Sequence, residues 1–181
     1  MRALVVGVVL LLAGSRPAGA TVFLPADLGD LSREAFAIAR GRIVSADSRW
    51  TTSDRRSIET VVTMQADTWL KRDLGATIQF RVPGGRVGRF RSLVVGAPSF
   101  DRGQQVIVFL GAAPPALPYV LGLGQGVFRV APGAAGFVVT PSAVLPQSGP
   151  PTRIVRGDLT RRPMALSEFE QRVRGLAGEG K

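Results

Sequence analysis

The stretch Ile58 to Leu70, IETVVTMQADTWL, constrains this chain more than any other. Ile58, Thr60, Val62, Met64 and Ala66 alternate with Glu59, Thr63, Gln65 and Asp67. A period of two sends alternate side chains to opposite faces of a pleated strand. A long strand with one dry and one wet face belongs in an antiparallel sheet that turns one side to a core.

The flanking sequence repeats the theme in shorter pieces. In AFAIARGRIVSADSRW (35–50), Ala37, Ala39, Gly41 and Ile43 fall on one face, with Phe36, Ile38, Arg40, Arg42 and Val44 on the other. A glycine in mid-strand predicts a bend or a close backbone approach. TTSDRRS (51–57) and KRDLG (71–75) read as turns. ATIQFRV places Ile78, Phe80 and Val82 together, and Pro83-Gly84-Gly85 ends that strand. A strand resumes near Phe90 in RFRSLVVGA, PSFDRG turns, and QQVIVFLG (104–111) predicts an apolar strand for a barrel interior. AAPPALP reads as a rigid linker, YVLGLGQGVFRV as two short strands interrupted by Gly122, Gly124 and Gly126, and FVVT (137–140) as a last strand.

Two helices frame these strands. Residues Leu28 to Ala35 predict a short one with Asp27 as its cap and Leu28, Leu31 and Ala35 on one face. Leu166, Phe169, Val173 and Leu176 recur at helical spacing near the C-terminus. Ser167 is the expected cap there, with Glu168 and Glu170 early and Arg172 and Arg174 late. The expected fold class is all-β: an OB-fold-like β-barrel with a short N-terminal helix and an amphipathic C-terminal helix.

The first twenty residues read as a signal peptide (1–20): Met1-Arg2, an apolar run from Ala3 to Ala13, a break at Arg16-Pro17, and Ala18-Gly19-Ala20 before the cleavage point. The expected location is therefore secreted or periplasmic, by way of a cleavable leader. The predicted organisation continues as a β-barrel domain (21–140), a proline-rich irregular segment (141–163), and a C-terminal helix and tail (164–181). No later apolar run is long enough to span a bilayer.

Composition narrows the chemistry. The chain has no histidine, which removes Ser-His-Asp and Cys-His triads, imidazole bases and the usual catalytic zinc sites. It has no cysteine, so an exported fold of this kind stands on packing without disulfides. A Ser-Lys pair would need Lys71, in a turn-like LKRDLG, or Lys181, at the chain end. The formal net charge of +10 favours anionic partners, although 21 arginines against 2 lysines also fit a GC-rich coding bias.

With these elements in place, the region from Glu34 to Leu110 resembles the core of netrin-like domains and tissue inhibitors of metalloproteinases. Gly41-Arg42-Ile43, Leu70-Lys71, Ile78-Gln79-Phe80 and Gly103 to Phe109 occupy places comparable to that family's strand motifs. It also resembles a group of exported bacterial proteins of unassigned function. The resemblance implies an OB-fold barrel. The inhibitors chelate their target's zinc with an N-terminal cysteine, whereas a mature chain here would begin at Thr21 and has no cysteine.

The candidate site is the stretch QFRVPGGRVGRFRS (79–92). Its Gly85-Arg86-Val87-Gly88 is a G-x-x-G, but strands rather than helices flank it, so neither a KH clamp nor a Walker loop fits. A hairpin-like loop remains, with Arg81, Arg86, Arg89 and Arg91 as candidate anion contacts; alternation around Phe90 puts Arg89 and Arg91 on one face. Trp69 lies on the polar face of its strand by the same count and is a candidate stacking contact. Trp50 is a second exposed-tryptophan candidate. Asp27, Asp30 and Glu34 are explained by capping and solvation, so no metal site is expected, and no cofactor or catalytic residue either.

The expected function is a non-enzymatic exported binding module for a protein partner or an anionic polymer such as a glycan. The alternative is an inhibitor or accessory subunit of a secreted hydrolase such as a metallopeptidase, as the resemblance implies.

Overall fold

The long alternating segment forms β2 (Ile58–Lys71), paired antiparallel to β1 (Ala37–Trp50) along almost its whole length. The computed structural model describes residues 26–142 and 162–178. The leader (1–20), Thr21 and most of the proline-rich segment lie outside the described residues. Around the β1–β2 pair lie α1 (Leu28–Glu34), β3 (Thr77–Pro83), β4 (Gly85–Val87), β5 (Phe90–Ser92), β6 (Gln105–Ala113), β7 (Ala116–Val120), β8 (Val127–Gly133), β9 (Gly136–Pro141), β10 (Met164–Ala165) and α2 (Leu166–Gly178). The described residues are thus mostly β, with a large sheet and two helices.

The large sheet runs β1-β2-β3-β7-β6-β8-β9-β10, and β6 also pairs with β1. Pairing therefore passes from β1 through β2, β3, β7 and β6 and back to β1. All of these contacts are antiparallel except β3 with β7, which is parallel and meets at Arg81 and Tyr119. β7 and β8 lie one after the other along the same edge of β6: Val120 opposes Leu110 and Val127 opposes Val108. A 3-10 turn at Leu123–Gly126 separates them, so β7 turns toward β3 while β8 leads out to β9 and β10.

β6 is buried on both faces. Val106, Val108 and Leu110 join one cluster with Ala39, Ile43, Val62, Met64, Ile78, Phe80 and Val82. Ile107 and Phe109 join the other, beneath the helices. The apolar run expected to line an interior thus divides itself between two cores, as a strand covered on both sides does. Phe109, Phe128 and Phe169 step from sheet to α2 with ring centroids 5.5 and 4.7 Å apart. α2 is further fixed by Arg40, whose Nε lies 2.8 Å from Glu170 Oε1, out of line for a hydrogen bond, while its Nη2 donates to Thr68 at 2.9 Å.

α1 begins where expected, with the Asp27 carboxylate accepting from Asp30 N. Its C-terminal end is held by Lys71, whose Nζ donates to the carbonyls of Ser32 and Arg33 at 2.8 Å each. A cation at this end meets the negative pole of the helix. Burial, and then the neighbouring Arg72, push the Lys71 ammonium below the ordinary lysine range.

Gly41 is the close approach its position predicts: a Cβ there would lie 2.2 Å from the Gln65 carbonyl oxygen. Other local expectations differ. Leu93 to Gln104 is irregular apart from turns, so the apolar LVV extends no strand beyond Ser92. AAPPALP is the tight turn between β6 and β7 and not a linker. β9 is followed by β10, which pairs with it through Met164 and Ala165. Helix α2 starts at Leu166, which puts Ser167 inside the first turn and not at the cap.

Candidate functional site

The double glycine after Pro83 solves a packing problem. Gly84 N donates to the Ile58 carbonyl at 2.9 Å, and the Gly84 carbonyl accepts from Thr60 Oγ1 at 2.8 Å. Thr60 Oγ1 and Ser48 Oγ lie 3.0 Å apart, and Ser48 Oγ accepts from Arg86 N at 3.1 Å. A continuous polar peg, from β2 through β1, thus fastens the β4–β5 hairpin to the β1–β2 pair. Gly85 sits on that peg at φ +136°, where a Cβ would fall 2.3 Å from Ser48 Oγ and 2.5 Å from Thr60 Oγ1. Only glycine accepts both the dihedral and the proximity.

The hairpin itself is short. Gly85 opposes Ser92, Arg86 opposes Arg91, and Val87 opposes Phe90. Gly88 at φ +58° and Arg89 form the two-residue turn, with glycine at the first central position as the type II′ hairpin turn prefers. Phe90 packs edge-on against Trp50, with ring centroids 5.5 Å apart.

Beyond the hairpin, Phe100 anchors the irregular segment by an edge contact to Phe80, also at 5.5 Å between centroids. The Gly96 carbonyl accepts from Gly124 N at 2.7 Å. Between this segment, the hairpin and the ends of β2 and β3 lies an open cleft of about 580 Å³. Its wall includes Thr60, Gly84, Gly85, Ser92, Val94 and Phe100, and Arg86 and Arg91 stand at it from the hairpin. Among the described residues no carboxylate is part of that wall.

The four arginines separate into two groups. Arg81 lies on β3, where its Nη1 is 3.9 Å from Glu59 Oε2 and its Nε donates to the Leu117 carbonyl at 3.3 Å. Glu59 is buried and also receives Arg49 Nε at 2.9 Å. Arg81 is therefore committed to joining β2, β3 and β7. Arg86, Arg89 and Arg91 are exposed, and among the described residues none of them forms an ion pair. Because Arg86 and Arg91 are directly opposed, they share one face of the hairpin. Arg89 occupies the turn, so the alternation that grouped it with Arg91 does not apply; its guanidinium lies 5.2 Å from the Phe90 ring centroid.

Trp69 is also placed differently from its sequence count. Gly41 pairs with Ala66 and Arg40 with Thr68, which leaves Asp67 as an extra residue on β2. Such a bulge reverses the alternation beyond it. Trp69 accordingly packs against the cluster of Ala39, Met64 and Phe80, and its indole N–H donates to the Gly75 carbonyl at 3.0 Å. It closes the turn at 71–76 and lies away from the cleft wall.

Asp27 is occupied as a helix cap and Asp30 is ion-paired to Arg33. No group of three or more potential metal ligands occurs among the described residues. The sequence did not point to Ser48 and Thr60, because their juxtaposition depends on strand register. Nor did it single out the Leu93–Val95 segment, whose apolar character suggested a strand. Comparison with family models, curated proteins and solved structures finds no match to this chain.

Proposed function

We propose that the protein is an exported, non-enzymatic binding module that holds a segment of an anionic polymer, such as an acidic glycan, in the cleft beside the β4–β5 hairpin. The proposed frame is an OB-like barrel. Supporting it are the return of strand pairing to β1 and the parallel contact of β3 with β7.

One observation carries the ligand's charge: Arg86 and Arg91 stand side by side at a cleft with no carboxylate among the described residues of its wall. Two guanidinium groups on neighbouring strands offer forked donors to carboxylate or sulfate oxygens. The peg through Ser48 and Thr60 fixes their backbone before a ligand arrives, which reduces the ordering cost of binding. Serine hydroxyls at Ser92 and Ser99 and the apolar side chain of Phe100 complete a wall suited to an extended, polar chain.

The test is titration with a sulfated or uronic-acid polysaccharide at increasing salt. Affinity is expected to fall steeply with ionic strength. Arg86→Ala with Arg91→Ala is expected to weaken binding by tenfold or more, and Arg81→Ala to act on stability instead. Salt-indifferent binding, or an unchanged affinity in the double variant, would refute the proposal.

A further inference from the structure

The cleft uses only part of one apolar surface: Leu93 and Val94 border it, while Val95 and Phe90 lie outside its wall. Leu93 is 73 % exposed, Val95 57 % and Phe90 49 %, and Val94 beside them is exposed as well. Three consecutive aliphatic residues standing in water are costly, and a contiguous patch of this kind marks a contact surface. The patch is also held in place. Ala97 N donates to the Val94 carbonyl at 3.1 Å, Gly96 is tied to Gly124, and Phe90 rests on Trp50.

Its surroundings indicate what kind of contact. From Leu74 to Phe100 there is no acidic residue, while the stretch carries Arg81, Arg86, Arg89 and Arg91. With Arg81 drawn to Glu59, the three exposed arginines are those of the adjoining hairpin. Aliphatic side chains beside arginines are what a segment lying in a membrane interface requires: the apolar groups enter the acyl boundary while the cations meet anionic headgroups. A soluble polyanion in the cleft satisfies the arginines but leaves Val95 and Phe90 in water.

We infer that the hairpin and the Leu93–Val95 loop together form a docking tip for an anionic lipid surface, with Leu93, Val95 and Phe90 inserting shallowly and Arg86, Arg89 and Arg91 engaging headgroup phosphates. The contact is reversible and peripheral. Among the described residues no helix is long and apolar enough to cross a membrane.

Co-sedimentation with phosphatidylcholine vesicles, with and without phosphatidylglycerol, tests this tip. Binding is expected to the anionic vesicles and to weaken with salt. Val95→Ser, at a residue outside the cleft wall, leaves the charge unchanged and is expected to lower vesicle partition about fivefold, while binding of the soluble polysaccharide stays as in the parent protein. Arg86→Ala with Arg91→Ala is expected to lower both. The serine replacement is at an exposed position, and an unchanged circular dichroism spectrum and melting profile confirm that the fold is kept. No sedimentation with anionic vesicles, or a Val95→Ser variant that sediments as well as the parent, overturns the inference; in the second case adsorption is electrostatic only. Loss of polysaccharide binding alone bears on the cleft and leaves the lipid contact standing.

Discussion

Replacing Gly85 by alanine probes the hairpin anchor most directly. The new Cβ would lie 2.3 Å from Ser48 Oγ and 2.5 Å from Thr60 Oγ1, both well inside any real contact, at a φ of +136°. Any movement of Ser48 away from the new Cβ gives up its contacts with Thr60 and with Arg86 N. Two hydrogen bonds at a partly wet site contribute about 0.5–1.5 kcal/mol each. Holding alanine at that dihedral adds about 1–3 kcal/mol. A local cost of roughly 2–6 kcal/mol raises the population of detached hairpin about thirtyfold at the low end. The detachment is sub-global, because the two-stranded β4–β5 sheet contributes little to either core. Limited proteolysis with trypsin reads it: cleavage at Arg86, Arg89 and Arg91 should accelerate by that factor, with a much smaller change in melting temperature. Gly88→Ala separates the two causes, since it has a φ of +58° but nothing within 4 Å of its Cβ. It should show only the conformational part. Equal cleavage rates in Gly85→Ala and the parent would refute the peg as the anchor.

Gly41→Ala is expected to be more damaging to the whole molecule, because its Cβ meets backbone, the Gln65 carbonyl oxygen at 2.2 Å, which cannot rotate away. A loss of about 3 kcal/mol or more in chemical denaturation checks it. Phe169→Ala removes the ring whose centroid lies 4.7 Å from that of Phe128 and empties the space between α2 and the sheet. It should cost about 3–5 kcal/mol, with faster amide exchange along α2 than along β2.

The separation between what local sequence determined and what it did not follows from range. Period-two alternation, glycine-proline punctuation and the spacing of Phe169 and Val173 depend on neighbours in the chain, so β1, β2, β3, α1 and α2 were legible from residues alone. Asp27 was legible as a cap because its partner is three residues away. Zero histidine and zero cysteine likewise restricted the chemistry before any coordinates. The candidate site was legible only in part: the sequence marked the arginine-rich hairpin but grouped Arg89 with Arg91. Cross-strand register instead makes Arg86 the partner of Arg91.

Tertiary structure decided the rest, and the reason in each case is a relation between distant strands. A single extra residue at Asp67 reversed the alternation and turned Trp69 from a surface candidate into a plug for a turn. Pairing with β1 and β8, beneath two helices, gave both faces of β6 a core, which no window of its own sequence distinguishes from one. Glu59, placed between Arg49 and Arg81, withdrew one arginine from the basic surface. The glycines after Pro83 were legible as the end of a strand; their actual requirement is the pair of hydroxyls, Ser48 and Thr60, that the β1–β2 register brings beneath Gly85. Residue type announced that something must come close to that backbone, and only the fold determined what it was.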